Sequence, residues 1–134
     1  IGDAVDIHPK NKLDVGRRLA LQALAKTYGR PVACDGPVCM DVKAEGAKLR
    51  LTFSSPGGPL CSRDGGPLLG FAVAGTDGAF HEAEAAIAGT TIVVSSPRVT
   101  APVTVRYAWA DNPPNTLADC NGLPAGPFQA QVSA

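Results

Sequence analysis

The sequence has little of what marks several large classes of protein. Its 134 residues carry 12 basic and 12 acidic side chains, so the formal net charge is +0. A neutral chain argues against nucleic acid as a main partner, because phosphate binding needs a basic surface. No apolar run approaches the roughly 20 residues that a membrane-spanning helix needs. We therefore expect neither nucleic-acid binding nor membrane insertion.

Metal ligands are also scarce. The four cysteines form no C-x-x-C pair, and the two histidines, His8 and His81, lie far from any cysteine pair. This composition argues against a metal site. An even number of cysteines in a short chain permits two disulfides. Residues 35–37 (DGP) can turn the chain and pair Cys34 with Cys39, which leaves Cys61 to pair with Cys120; four reduced thiols are the alternative.

Glycine and proline are plentiful, at 15 and 12 residues. They indicate many turns and therefore short strands. The exception is the stretch 12–28, which predicts a helix with Asn11 as N-cap and Gly29 as the residue that ends it. A polar side chain recurs on it every four residues, and a wide apolar face lies opposite.

After Pro31 the hydrophobic period changes from helical to alternating. Residues 40–53 predict a hairpin with Met40 and Val42 on its buried face. Residues 103–109 predict a late strand whose Trp109 packs in the core, with stacking on a sugar ring as the alternative. We expect loops at 54–67 and 115–127, a single weak strand at 80–87, and a last strand at 128–132. Some seven short strands with turns between them favour an antiparallel β-sandwich.

The chain therefore divides into two parts. Residues 1–30 form a loop and a helix that cannot fold alone, because a lone helix has nothing to cover its apolar face. Residues 31–134 form a β-rich domain. The first residue is Ile1 and not Met, so we expect the chain to be cut from a longer protein.

His8 is the main candidate for chemistry. Asp6 lies two residues before it, and an aspartate beside a histidine can orient the imidazole and stabilise the imidazolium during general base catalysis. A D-x-H pair also recurs by chance, and the alternative is a solvated loop histidine.

The wider context of His8 resembles a known family. Residues 2–12 (GDAVDIHPKNK) and 15–21 (VGRRLAL) are similar to the end of the hydrolase domain in sialate O-acetylesterases, which belong to the SGNH (GDSL-like) esterase superfamily. The resemblance continues through 69–75 (LGFAVAG) and 105–113 (VRYAWADNP) to 122–128, so it covers nearly the whole chain. The runs IHPKNK and RYAWADNP are the most specific parts.

The resemblance implies a mainly β fold: an antiparallel β-sandwich-like accessory domain at 31–134, preceded by the last loop and helix of an α/β SGNH hydrolase domain at 1–30. It also implies that His8 is the catalytic base. The superfamily places the acid three residues before the histidine, where this chain has Val5; Asp6 is the first choice and Asp3 the reserve. The nucleophilic serine of the family lies far upstream, so we expect the isolated chain to be inactive.

The implied reaction is hydrolysis of acetyl esters on sugar hydroxyls, without cofactor or metal. The expected partners are the remainder of the SGNH hydrolase domain and O-acetylated sialic acid or another acetylated sugar. Glycan chemistry and four cysteines favour an extracytoplasmic location, either periplasmic or secreted. The alternative function is a non-catalytic β-sandwich module that binds carbohydrate or acts as a scaffold.

Overall fold

The computed structural model describes residues 1–133. The chain forms two compact units, Ile1–Asp35 and Gly36–Ala134. Within the described residues, the helical segment is too short and too polar to cross a membrane.

The first unit is a loop followed by helix α1 (Lys12–Gln22) and one π-helical turn (Ala23–Thr27). Asn11 caps the helix, because its side-chain oxygen accepts the N–H of Asp14 at 3.0 Å. Gly29 has a φ of +62°, the left-handed conformation that ends a helix. The predicted helix is present, but its last turn is wider than predicted: the N–H of Tyr28 donates to the carbonyl of Ala23, five residues back.

The apolar face of α1 is exposed. No residue of the helix is buried, and Leu13 and Leu19 are 82% and 66% exposed. The tail of the unit is held to the helix by polar contacts, because Gln22 Nε2 donates to the Cys34 carbonyl at 2.7 Å and Lys26 Nζ lies 3.3 Å from Asp35 Oδ1.

The second unit contains short strands only. They are β1 (Val38–Glu45), β2 (Lys48–Ser54), β3 (Leu60–Ser62), β4 (Phe71–Ala74), β5 (His81–Glu82), β6 (Glu84–Ala88), β7 (Thr91–Ser95), β8 (Thr104–Tyr107), β9 (Leu117–Asp119) and β10 (Phe128–Gln131).

Two four-stranded antiparallel sheets and one strand pair make up this unit. The sheet orders are β1-β2-β7-β6 and β10-β8-β4-β5, and β3 pairs with β9. The predicted mainly β, antiparallel sandwich-like fold is confirmed. The alternation of buried and more exposed residues along β2 and β7 explains it, since one face carries the apolar side chains that the facing sheet covers.

The core lies between the sheets. Leu49, Leu51, Ile92 and Val94 from the first sheet and Val73, Val105 and Tyr107 from the second are fully buried, each with 0% exposure. Aromatic rings join the two layers: the rings of Phe53 and Phe128 lie 5.9 Å apart in an edge-on arrangement.

The predicted single strand at 80–87 is wrong. The chain forms β5 in one sheet and β6 in the other, and changes sheets at Ala83, which is 8% exposed. One residue therefore links the two layers of the sandwich covalently.

Local irregularities explain two further errors. The register of β1 and β2 shifts between Cys39 and Asp41, so Met40 leaves the core face and is 66% exposed. Strand β8 ends at Tyr107, and Ala108 adopts a φ of +50°. Trp109 is consequently turned out of the core and is 55% exposed, against the prediction of core packing.

The predicted loops at 54–67 and 115–127 each contain a strand, β3 and β9, which pair with each other. All four cysteines are free thiols in the structure, which is the alternative to the two disulfides that the sequence left open. The thiols of Cys34 and Cys39 each have a local acceptor, Asp35 Oδ2 at 3.6 Å and the Asp41 carbonyl at 3.8 Å.

Candidate active site

The loop before α1 brings His8 and Asp6 together. His8 Nδ1 lies 2.9 Å from Asp6 Oδ1, and the backbone N–H of His8 donates to the same oxygen at 2.9 Å. The second hydrogen bond closes the local turn that aspartate side chains commonly form with the backbone N–H two residues later in the chain. One carboxylate oxygen therefore fixes both the backbone and the ring of the histidine.

These contacts favour the ionised form of Asp6. The backbone N–H of His8, followed by its imidazole, lowers the pKa of Asp6 below its ordinary value of 3.8. An ionised carboxylate only accepts hydrogen bonds, so the ring nitrogen that faces it carries the proton. The lone pair then lies on Nε2, the nitrogen that a general base uses.

The pair is accessible. The side chain of His8 is 79% exposed and that of Asp6 is 47% exposed. In the described chain this leaves Nε2 open to an approaching hydroxyl group.

Asp3 does not take the same position. Its Oδ1 accepts the N–H of Val5 at 3.0 Å. This hydrogen bond closes a turn of the same kind, three residues earlier in the chain. Val5 holds the position that the SGNH pattern gives to the acid, and its side chain is 95% exposed. Of the two predicted carboxylates, the structure brings Asp6 to His8.

Several serine hydroxyls of the chain lie in surroundings that do not activate them. Ser62 donates to Asp64 at 2.8 Å and Ser133 donates to Asp41 at 2.6 Å. Ser96 is 6% exposed and its hydroxyl is buried in the β unit without a hydrogen-bond partner among residues 1–133. These environments differ from that of an activated nucleophile, whose oxygen hydrogen-bonds to a base.

The described residues contain no group of three or more His, Cys, Asp or Glu side chains able to hold a metal ion.

The β unit carries two polar features that the sequence did not reveal. The Arg106 guanidinium lies 3.8 Å above the ring centre of Phe80 and 5.2 Å from that of Trp109. Phe80 is 26 positions from Arg106, and only the pairing of β5, β4 and β8 brings the segments together. No local pattern indicates this stack.

The second feature is a cleft of about 690 Å³. Glu82, Glu84 and Arg98 contribute to its polar wall, and Leu68 is among its apolar side chains. Ala83, where the chain changes sheets, also lines the cleft, and Glu82 and Glu84 on either side of it belong to different sheets.

The fold has a counterpart among solved proteins. A crystal structure matches 98% of the chain with a TM-score of 0.93 and 43% sequence identity. That protein is a carbohydrate acetylesterase from Xanthomonas citri. The chain spans 31% of its length. No protein-family model and no curated protein matches the chain.

At this identity and coverage, the match goes well beyond a shared fold. It supports a carbohydrate acetylesterase context for the chain, which is the coarser part of what the resemblance implied. The sialate substrate, the SGNH assignment and the roles of His8 and Asp6 stay predictions.

Proposed function

We propose that this chain is the part of a carbohydrate acetylesterase that supplies the general base, His8, and the carboxylate that orients it, Asp6. The β-sandwich is the accessory domain of the same enzyme. The distance of 2.9 Å between His8 Nδ1 and Asp6 Oδ1 carries the proposal, and the 43% identity to a carbohydrate acetylesterase supports it.

The pair has a defined role in the reaction. A serine outside this chain attacks the acetyl carbonyl while His8 Nε2 takes its proton. His8 then returns that proton to the sugar oxygen, which leaves as a free hydroxyl. Water attacks the acetyl-serine with His8 again as base, and acetate is released. Asp6 holds the ring and stabilises the imidazolium in both halves of the reaction.

The apolar face of α1 fits the same proposal. Leu13 and Leu19 would pack against the remainder of the hydrolase domain, since an exposed apolar helix face costs free energy until another surface covers it. The substrate class is an O-acetylated sugar, and O-acetylated sialic acid is the narrower proposal within that class.

The test uses the protein that contains the rest of the hydrolase domain. His8→Ala should lower kcat for an acetylated sugar by on the order of 10³ to 10⁶, as removal of the base does in serine hydrolases. His81→Ala is the matched control and should retain activity. Equal activity of His8→Ala and His81→Ala would refute the role of His8.

The choice of carboxylate has its own test in the same protein. Asp6→Asn should lower kcat by up to about 10⁴, because the amide no longer fixes the required tautomer. Asp3→Asn should have a much smaller effect. The reverse order would assign the role to Asp3.

The 134-residue chain alone should not hydrolyse p-nitrophenyl acetate above the rate in buffer. If it does, and if His8→Ala abolishes the activity, the nucleophile lies in this chain and the division of the catalytic groups is wrong.

A second candidate function is carbohydrate binding by the β unit. Trp109 supports it, because an aromatic ring with 55% exposure offers an apolar face to a sugar ring, and Arg106 beside it offers hydrogen-bond donors. The cleft lined in part by Glu82, Glu84 and Arg98 adds further polar groups of the kind that sugar hydroxyls bind.

Trp109 is the only tryptophan of the chain, so its fluorescence reports on this surface directly. Titration with acetylated xylo-oligosaccharide should change the emission, and Arg106→Ala should weaken the binding. Tyr28→Phe is the control at an exposed aromatic residue outside the β unit. An emission that stays constant up to millimolar sugar would refute binding at Trp109.

A further inference from the structure

We propose that Cys61 and Cys120 form a redox-responsive pair, which a disulfide oxidant converts into an intramolecular disulfide in the folded chain. The pairing of β3 with β9 and the backbone bonds beside it hold the two thiols together. The proposal does not depend on the catalytic role of His8.

The strand register places the two side chains on one face. Cys61 lies opposite Ala118 in the antiparallel pair. Cys120 follows Ala118 by two residues, and side chains two residues apart on an extended chain point to the same side. The backbone N–H of Cys120 donates to the Pro59 carbonyl at 2.9 Å, which continues the same register beyond the strand. The Cys120 thiol is close enough to Cys61 to raise the pKa of the Cys61 thiol.

The turn after Cys120 is held firmly. Asp119 is 1% exposed, and its Oδ1 accepts the N–H of Asn121 at 3.0 Å and the N–H of Leu123 at 2.9 Å. Asn121 Nδ2 donates in turn to the Gly57 carbonyl, close to the start of β3. Both cysteines thus lie on segments that several hydrogen bonds tie to each other.

Among the described residues, the hydrogen-bond acceptors of the other two cysteines are not thiols. The thiol of Cys34 donates to Asp35 and that of Cys39 to the Asp41 carbonyl. The structure thus favours one of the two pairings that the sequence suggested.

The chemistry proceeds by two exchanges. Cys120 is exposed, so its thiolate attacks an external disulfide RS–SR first, which forms Cys120–S–SR and releases one RS⁻. The thiolate of Cys61 then attacks the Cys120 sulfur and releases the second RS⁻. In total, two thiols and one RS–SR give one protein disulfide and two RSH, and the external disulfide is the oxidant.

The order of the two steps follows from the surroundings of Cys61. Burial, the neighbouring Cys120 thiol and the charge of Asp119 raise the pKa of the Cys61 thiol to about 11. Less of its thiolate is present at neutral pH, so Cys61 is the resolving thiol and Cys120 the entry point.

The test treats the folded chain with oxidised glutathione at pH 8 and maps its peptides by non-reducing mass spectrometry. A Cys34→Ser/Cys39→Ser variant keeps only the proposed pair and is analysed beside the wild-type chain, which covers the case that the variant folds poorly. We expect a peptide that links Cys61 to Cys120, a mass lower by two hydrogen atoms in the variant, and no bound glutathione.

Two single variants check the order of steps. Cys61→Ala should retain one glutathione on Cys120, whereas Cys120→Ala should react at least about tenfold more slowly. Denaturant should slow formation of the internal disulfide by a similar factor, because the effective concentration of one thiol at the other falls. Glutathione on both cysteines of the folded chain, or two thiols that stay alkylatable, would overturn the proposal.

Discussion

Single residues of the chain act mainly through hydrogen bonds to the backbone. Asp6 Oδ1 accepts the backbone N–H of His8 as well as contacting its ring. Asp119 Oδ1 stabilises a turn by accepting backbone N–H groups. Tyr107 is fully buried, yet its hydroxyl accepts the N–H of Leu117 at 2.9 Å. In each case a side-chain oxygen accepts a backbone N–H group that has no partner in a regular strand or helix.

The pKa of Asp6 provides a prediction at this scale. An NMR titration of the chain should give a pKa below 3.8 for Asp6. His8→Ala should raise it only in part, because the ring bond disappears while the larger contribution, the backbone N–H, remains. Since the folded pKa is lowered, any stability that Asp6 contributes is present above about pH 4 and is lost as the pH falls through the folded pKa. An unchanged pKa in His8→Ala would show that the ring contributes nothing.

The hydroxyl of Tyr107 provides another prediction at the scale of single residues. Tyr107→Phe should lower the free energy of unfolding by about 1–3 kcal/mol, because the buried N–H of Leu117 loses its acceptor. Tyr28→Phe is the control at a residue with 72% exposure and should change stability by less than about 0.5 kcal/mol. Urea unfolding of both variants measures the difference, and equal values would contradict a role for the hydrogen bond.

At the scale of elements, sequence patterns predicted what is local. Helix α1, the β1–β2 hairpin and β10 follow from capping residues and alternation within a dozen residues. Strands β3 and β9 were missed, because each has three residues inside a Gly- and Pro-rich stretch, and each forms only by pairing with a partner more than fifty positions away.

The same distinction between local and distant neighbours applies at the candidate sites. His8 and Asp6 were predicted as a pair because they lie two residues apart, in a motif that resembles a family. The outward position of Trp109 depends on the φ of Ala108. Alanine rarely adopts a left-handed conformation, so the sequence gives no sign of it. The stack of Arg106 on Phe80 depends on sheet order, which alternation does not reveal.

The turn before β4 allows a prediction with a matched control. Gly70 and Gly78 both have positive φ, +97° and +72°. A Cβ on Gly70 would lie 2.6 Å from the Pro114 carbonyl oxygen, whereas one on Gly78 would meet nothing within 4 Å. Gly78→Ala should cost about 1–2 kcal/mol for the backbone conformation alone. Gly70→Ala should cost a further 1–3 kcal/mol or so, because the backbone must also move. Thermal unfolding of both variants gives the comparison, and similar losses would contradict it.

At the scale of the whole molecule, the hydrophobic core belongs to one unit. Every buried hydrophobic residue of the described chain lies between Val42 and Ala125, and the first unit has none. Stability should therefore be carried by the sandwich, while the first unit depends on a surface that covers the apolar side of α1.

This division predicts independent folding. Residues 36–134 expressed alone should unfold cooperatively, with a midpoint within a few degrees of that of the full chain, as followed by calorimetry. A peptide of residues 1–35 should show little helical circular dichroism, since helices shorter than roughly 12–15 residues are marginal in water. A sandwich that fails to fold without residues 1–35 would contradict this assignment of the core.

The strand order also has a consequence for biosynthesis. The sheet β1-β2-β7-β6 is complete once residue 95 has left the ribosome, whereas β8 acquires its second neighbour only when β10 emerges at 128–131. At about 5–20 residues per second, the first layer waits seconds for its cover. During that interval the apolar side of the nascent first layer is the surface that a chaperone would encounter.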